Sequence, residues 1–395
     1  MQAQSPPGAR PRLESVDVLR GLIMMVMALD HTRDYFGNYT VNPTDLATTS
    51  TALFLTRWIT HFCAPVFFLL TGTGAFLSLR RKSRRELSGY LLTRGLWLLL
   101  LEVTIGRFGL QFNWDYHVTV LLVLWALGWS MIVLSALVHL PLTAVLAFGT
   151  VLIAGHDLLD GITAESWGAL APLWHLLHAP GFLLFTPERT VLVSYVLIPW
   201  IGVTAVGFAL GQVYRWEGER RRRFLLTAGL ALTAAFVLLR LSNLYGDPSR
   251  WSAQPTALFT GLSFLNTTKY PPSLLFLLMT LGPALCALGL LEARTPRLLA
   301  PALTFGRVPL FYYLLHFPLI HLLALITAGV RYGTSAGMSQ SPTIDRFPFT
   351  QPEGWGFGLP VVYFVWVAVV LIMYPLCRWF AGLKQRRADA WLSYL

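Results

Sequence analysis

Charge is what this sequence has least of. Only 12% of its 395 residues are Asp, Glu, Lys or Arg, against about 25% in an ordinary soluble domain, which excludes a soluble enzyme and a disordered chain. Cysteine is scarce as well. The three, Cys63, Cys286 and Cys377, stand alone in apolar stretches with no partner at metal-ligand or redox spacing, so buried, reduced and inert thiols are expected, and no metal site. What fills the chain is apolar: 55% of it is hydrophobic and the mean hydropathy is +0.58. The few charges are unbalanced, 30 Lys and Arg against 19 Asp and Glu, for a net +11. A basic balance can indicate nucleic acid, but so apolar a chain offers no soluble basic face. The partner to expect is the lipid bilayer.

Six windows contain no Asp, Glu, Lys or Arg at all: Trp58 to Leu79, Tyr116 to His156, Thr190 to Tyr214, Tyr270 to Leu291, Val308 to Val330 and Gly354 to Cys377. About 20 apolar residues span the hydrocarbon core as a helix. The longest window holds two spans, divided at His139-Leu140-Pro141, because proline cannot continue the first helix. Val16 to Phe36, Leu91 to Leu110 and Phe224 to Leu244, with a few charges each, bring the total to about ten. The chain therefore reads as an all-α polytopic membrane bundle with both termini on one side. Basic residues cluster in short connectors: Arg10 and Arg12, Arg80 to Arg85, Arg215 to Arg223, Arg294 and Arg297, and Lys384 to Arg387. Short basic connectors face the cytoplasm, which places both termini there, with tails at 1–12 and 384–395. No cleavage pattern follows the first apolar run, so the first span is expected to stay in the protein. The longer segments on the other side, Gly37 to Thr56, Asp157 to Arg189, Tyr245 to Lys269 and Arg331 to Glu353, are expected to cap a site.

The first span is the anomaly, because it carries Asp17, Arg20, Asp30, His31, Arg33 and Asp34. An ionisable group at a span's centre costs roughly 2.5 to 3.5 kcal/mol on insertion scales, so such groups usually mark function. Interfacial pairing, Asp17 with Arg20 at the inner end for example, is the plain alternative. Eleven helical residues from Arg20 to His31 make about three turns and a rise of roughly 16 Å, so the two side chains face one groove at different depths. Asp30 and Asp34 flank His31, and a carboxylate beside imidazole fixes its tautomer and supports a general base.

Arg20 and His31 reproduce the Arg-x10-His pattern of membrane acyltransferases, and Leu13-Glu-Ser-Val-Asp-Val-Leu-Arg-Gly21 resembles a first-helix signature. Three further segments, Phe62-Cys-Ala-Pro-Val-Phe-Phe-Leu-Leu-Thr-Gly-Thr-Gly74, Lys269-Tyr-Pro-Pro-Ser-Leu and Gly306-Arg-Val-Pro-Leu-Phe-Tyr-Tyr-Leu-Leu-His316, complete a likeness running from about Arg12 to Cys377. The family resembled is the heparan-α-glucosaminide N-acetyltransferase-like family in its bacterial branch, related to the acyltransferase-3 type transmembrane acyltransferases. The resemblance implies a transmembrane acyltransferase domain over residues 13–383. It implies transfer of an acetyl or other short acyl group from cytoplasmic acyl-CoA to an amino or hydroxyl group of a sugar or glycan on the far side, with a histidine as the key residue. In a bacterium the location implied is the inner membrane, and a homodimer is allowed.

On this reading His31 is the base or acyl acceptor, oriented by Asp30 or Asp34. Arg20, helped by Arg307 or by Arg80, Arg81 and Arg94, holds the nucleotide phosphates of acetyl-CoA. Gly72 and Gly74 let the donor arm approach the second span, although small residues in membrane helices also serve packing. Asn266, Lys269 and Tyr270 are candidates to donate to the oxyanion or the acceptor, with an interfacial anchor ahead of Pro271 the plain alternative for Lys269. His316 and Tyr312 can face the same cavity, with a core histidine bonded to tyrosine the plainer reading, and Asp115 and His117 form a polar outer turn. The rival is a proton-coupled transporter with Asp30, His31 and Asp34 as its relay.

Overall fold

The computed structural model describes residues 14–38, 41–293, 296–340, 343, 348–387 and 389–394. The N-terminal tail at 1–12, Leu13 and Arg294 lie outside them. Ten helical segments occupy the ten expected positions: Glu14–Phe36, Thr51–Ser78, Arg84–Gln111, Val123–Leu137, Leu142–Leu159, Leu197–Arg215, Gly218–Ser242, Leu274–Ala293, Pro309–Tyr332 and Leu359–Arg386. They are called the first to the tenth span. Eight of them are long and apolar enough to cross a membrane; the first exceeds the usual charge, and the fourth has only 15 residues.

Local sequence explains the breaks. The fourth and fifth spans part where expected, the fourth ending at Leu137 and Pro141 preceding the fifth. Arg84 donates to the His139 carbonyl at 3.1 Å, tying this turn to the basic connector after the second span and so to the same side. The second span is broken into Thr51–Thr60 and Cys63–Ser78. Pro65 lacks the N–H that would bond back across the break. Ser50 caps the outer piece by accepting from the Leu53 N–H. The tenth span continues past residue 383 to Arg386, and the short helix Ala390–Tyr394 folds back onto the third span, with the hydroxyls of Tyr394 and Thr93 2.8 Å apart.

Two charge-free windows start as strands. Val118–Leu121 (β1), Gly181–Phe185 (β2) and Thr190–Val193 (β3) form a small sheet in the order β1-β3-β2, with β1 parallel and β2 antiparallel to β3. The β-branched runs Val-Thr-Val and Thr-Val-Leu-Val suit a pleated, half-buried surface. The chain still reads as a helical bundle, and the fourth span is short because its outer part is spent on β1. Non-helical backbone at such a depth is tolerated where it is buried in protein or lines a cavity. Glu102, at the start of a π-helical turn in the third span, closes the gap: its carboxylate accepts from the N–H groups of Leu122, Leu124 and Trp125 and so caps the fourth span.

The first span is the hub. It packs against the second, eighth, ninth and tenth spans and against the short helix Ala300–Gly306. On the outer side, buried Arg240 donates to the carbonyls of Ser249, Ser263, Phe264 and Asn266. Asp247 accepts from Ser249, Thr268 and Ser273. These two residues fix the segment that delivers Lys269 and Tyr270.

Candidate active site

The outer end of the first span opens into a cavity of about 750 Å³. Its walls come mainly from the first, second, ninth and tenth spans, the turn after the first span, the strands and the eighth span's entry, with Tyr313 and Phe317 from the ninth and Leu359 and Val362 from the tenth. The first span contributes Met27, Asp30, His31, Arg33 and Asp34; the outer piece of the second contributes Leu53, Arg57 and Thr60; β1, β3 and the residues after them contribute Val120, Leu192 and Tyr195; the eighth span's entry contributes Lys269 and Tyr270. The lining is thus apolar in area but carries three cations, Arg33, Arg57 and Lys269, against two carboxylates, Asp30 and Asp34.

These charges are interlocked. Asp30 is buried and sits between Arg57, 2.5 Å from one carboxylate oxygen, and Arg33, 2.9 Å from the other. Arg33 also reaches Asp34 at 2.5 Å. His31 Nδ1 lies 3.7 Å from the second Asp34 oxygen, close enough to orient the ring electrostatically. The imidazole rests on Phe317, ring centres 4.2 Å apart. Removing any one partner of Asp30 would leave a buried charge partly unpaired, which costs several kcal/mol when pairing is lost outright. Lys269 is also buried, 9% exposed, and its Nζ lies 5.2 Å from the centre of the Tyr270 ring. Tyr270 in turn meets the ring of Tyr195 edge-on at 5.6 Å.

The structure brings Asp30, His31, Asp34, Lys269 and Tyr270 to one cavity. His316 stands immediately behind His31, ring centres 5.2 Å apart, and Tyr312 stacks on His316 at 5.6 Å; both are fully buried and outside the lining. Asn266 is turned away, donating to the Thr44 carbonyl at 2.9 Å. Asp115 pairs with buried Arg107 at 3.1 Å, and His117 contacts the Glu188 carbonyl at 2.8 Å, both outside the lining.

At the inner end Arg20 pairs with Asp17 at 3.0 Å and donates to the Gly306 carbonyl at 3.1 Å. Arg307 follows directly, and its Nε is buried with no hydrogen-bond partner among the described residues. Gly72 touches the sixth span: a Cβ there would lie 2.0 Å from the Thr204 carbonyl oxygen. Gly74 has open space around it. The cavity lining stops at Met27 and Phe67, seven residues beyond Arg20 and so roughly 10 Å short of it along the helix. Buried Ile23, Met24 and Phe68 fill the interval.

Arg57 and Tyr195 leave little trace in the sequence. Arg57 stands one residue before a charge-free window and Tyr195 inside another, so counting charge hides the first and treats the second as bulk apolar span. The Ser50 cap was the available signal: a helix starting at Thr51 puts Arg57 in its second turn, inside the span.

Fold and site together define a polytopic membrane protein with a charged, mostly apolar-walled cavity at the outer end of its first span. The family model of the heparan-alpha-glucosaminide N-acetyltransferase catalytic domain matches residues 12–244, more than half of the chain. The chain belongs to that family and is a multi-pass transmembrane acetyltransferase. The match takes in the first seven spans with His31 and Arg57, while Lys269, Tyr270, Arg307 and His316 lie beyond it. No curated protein matches the chain.

Proposed function

We propose that the protein moves an acetyl group from cytoplasmic acetyl-CoA to the amino group of a sugar on the extracytoplasmic side of the cell membrane, the inner membrane in a bacterium. The observation that carries this reading is the placement of His31, flanked by Asp34 and backed by aromatic rings, on the wall of the outer cavity. His31 takes a proton from the acceptor nitrogen as that nitrogen attacks the thioester carbonyl. The C–S bond then breaks, and the proton passes to the thiolate of CoA. Asp34 orients the imidazole, the usual service of a carboxylate to a histidine base. Lys269 and Tyr270, on the same wall, donate to the developing oxyanion or to acceptor hydroxyls.

Arg307 and Arg20 at the inner end are the residues for the nucleotide phosphates, Arg307 offering an unused Nε. The rise of roughly 16 Å between Arg20 and His31 suits an extended pantetheine arm. For the arm to reach the cavity, the Ile23, Met24 and Phe68 packing must part.

The test is transfer itself. Protein in lipid nanodiscs, given acetyl-CoA labelled in the acetyl group and a panel of amino sugars and glycans, is expected to release CoA thiol and label one class of acceptor. Absence of thioester loss with every acceptor, together with proton-coupled solute flux in vesicles, would establish the transporter instead.

A further inference from the structure

His316 carries a feature the transfer mechanism has not used. Its Nδ1 lies 2.6 Å from the Tyr313 carbonyl oxygen and 3.2 Å from that of Tyr312. Carbonyl oxygens only accept, so Nδ1 must hold the hydrogen, and Nε2 of the neutral ring is then a bare lone pair. That Nε2 is buried and has no hydrogen-bond partner among the described residues. Burying an unpaired acceptor costs about 1–3 kcal/mol, and such a group next to a reacting histidine calls for a reason.

The surroundings narrow the reason. The titratable groups facing His316 are His31 on the first span and Tyr312 and Tyr313 on its own. Behind the tyrosines stand Cys63 of the second span and Cys377 of the tenth on one side, and Glu102 of the third and Tyr35 of the first on the other. His31 faces Asp34, which is paired to Arg33, and beyond them lie Asp30, Arg57 and Lys269. Of these groups His31 is the one that meets the cavity. Its ring centre lies 5.2 Å from that of His316, with no hydrogen bond to Nε2 among the described residues, so a proton reaching Nε2 must cross that gap.

We propose that His316 is the second proton holder of the site, acting through His31, and that this lets the acceptor enter as an ammonium ion. The proposal rests on the reading of His31 as the base and of a sugar amine as acceptor. The stoichiometry requires two protons to leave nitrogen: R–NH3⁺ and acetyl–S–CoA give R–NH–acetyl, CoA–SH and one H⁺. Two N–H bonds and the C–S bond break, while one C–N and one S–H bond form. The first proton passes from the ammonium through His31 to Nε2 of His316, leaving His31 neutral. The second goes to His31 during the attack and from there to the thiolate. After release, the proton on His316 returns through His31 to water in the cavity. His316 touches no substrate atom and is a positioning residue for the proton.

The experiment compares pH profiles of kcat/KM in nanodiscs for the wild type, His316→Asn and His316→Gln, with glucosamine as acceptor if it is the class labelled. Asn keeps a donor near the Nδ1 position and removes Nε2; Gln puts an amide near Nε2. An amine titrating near the α-amino value of about 8 is only about one part in 30 free base at pH 6.5. Referred to total amine, wild-type kcat/KM is expected to stay within a fewfold between pH 8 and 6.5. Both variants are expected to lose up to about 30-fold at pH 6.5 and to converge with the wild type above pH 9, with KM for acetyl-CoA unchanged. A wild-type rate that itself falls with the free-base fraction, or a loss in the variants that is equal at every pH, overturns the proposal. The wild-type profile decides even where a variant does not fold. Full activity of His31→Ala fails the base assignment instead, a result separate from either.

Discussion

The two ends of the first span make an instructive pair. Each carries ionised side chains, and each has an arginine tied to a carboxylate one turn away: Arg20 to Asp17, Arg33 to Asp30. What differs is the element packed opposite. At the inner end the helix Ala300–Gly306 lies so close that a Cβ on Gly21 would fall 1.7 Å from the Ala302 carbonyl oxygen, and one on Gly306 1.7 Å from that of Asp17. Two glycines thus bring two backbones into contact, and Arg20 donates into that contact. At the outer end a broken helix, a strand end and a turn stand opposite beside the ninth and tenth spans, and together they leave about 750 Å³. A cluster of charge within a span identifies a place worth examining; whether it closes a joint or opens a site depends on what the neighbouring backbone leaves empty.

The largest expected break in that comparison is Gly306→Val. It drives a side chain into the Asp17 backbone, so the inner joint should fail with a loss of more than about 4 kcal/mol, read as loss of a monodisperse peak in detergent. His31→Ala acts on the outer end alone: kcat should fall by about 10² to 10⁴ while the melting temperature stays put. Arg57→Ala removes one of the two cations on buried Asp30. With Arg33 remaining, the cost should be about 2 kcal/mol in thermal unfolding, below that of stripping a buried pair completely. Adding Asp30→Asn should recover most of it, since a double-mutant cycle between contacting residues is non-additive. Arg307→Ala is the mildest. It removes one charge-assisted contact to phosphate, so KM for acetyl-CoA should rise about tenfold with kcat unchanged. No change in KM would leave the inner end as a joint and nothing more.

Much of this was readable from the chain. Charge-free windows of about 20 residues favour helices in a bilayer, because a helix satisfies every backbone group within its own segment and hydrocarbon offers no partner. Proline at 141 divides two spans for the same covalent reason it divides helices anywhere. The crowding of Asp30, His31 and Asp34 into one turn follows from helical spacing, so part of the site was visible as well. Arg57 and Tyr195 were not, because they reach the cavity through a kinked helix and a strand pairing, and neither leaves a periodic trace. Gly72 shows the limit from the other side: the same residue suits a ligand arm or a neighbouring helix, and its 2.0 Å clearance to Thr204 belongs to packing.

The sequence alone therefore determined the helical membrane bundle, the positions of its helices and the one helix in which ionisable groups crowd, since solvation of backbone and charge is a local cost set by each residue's own atoms. Tertiary structure decided which of its two charged ends surrounds a space, that Lys269 and Tyr270 join His31 there, and that His316 stands behind it with an unused nitrogen. Those are relations between residues far apart in the chain, and they exist only once Arg240 and Asp247 have pinned one loop and two glycines have closed the other end.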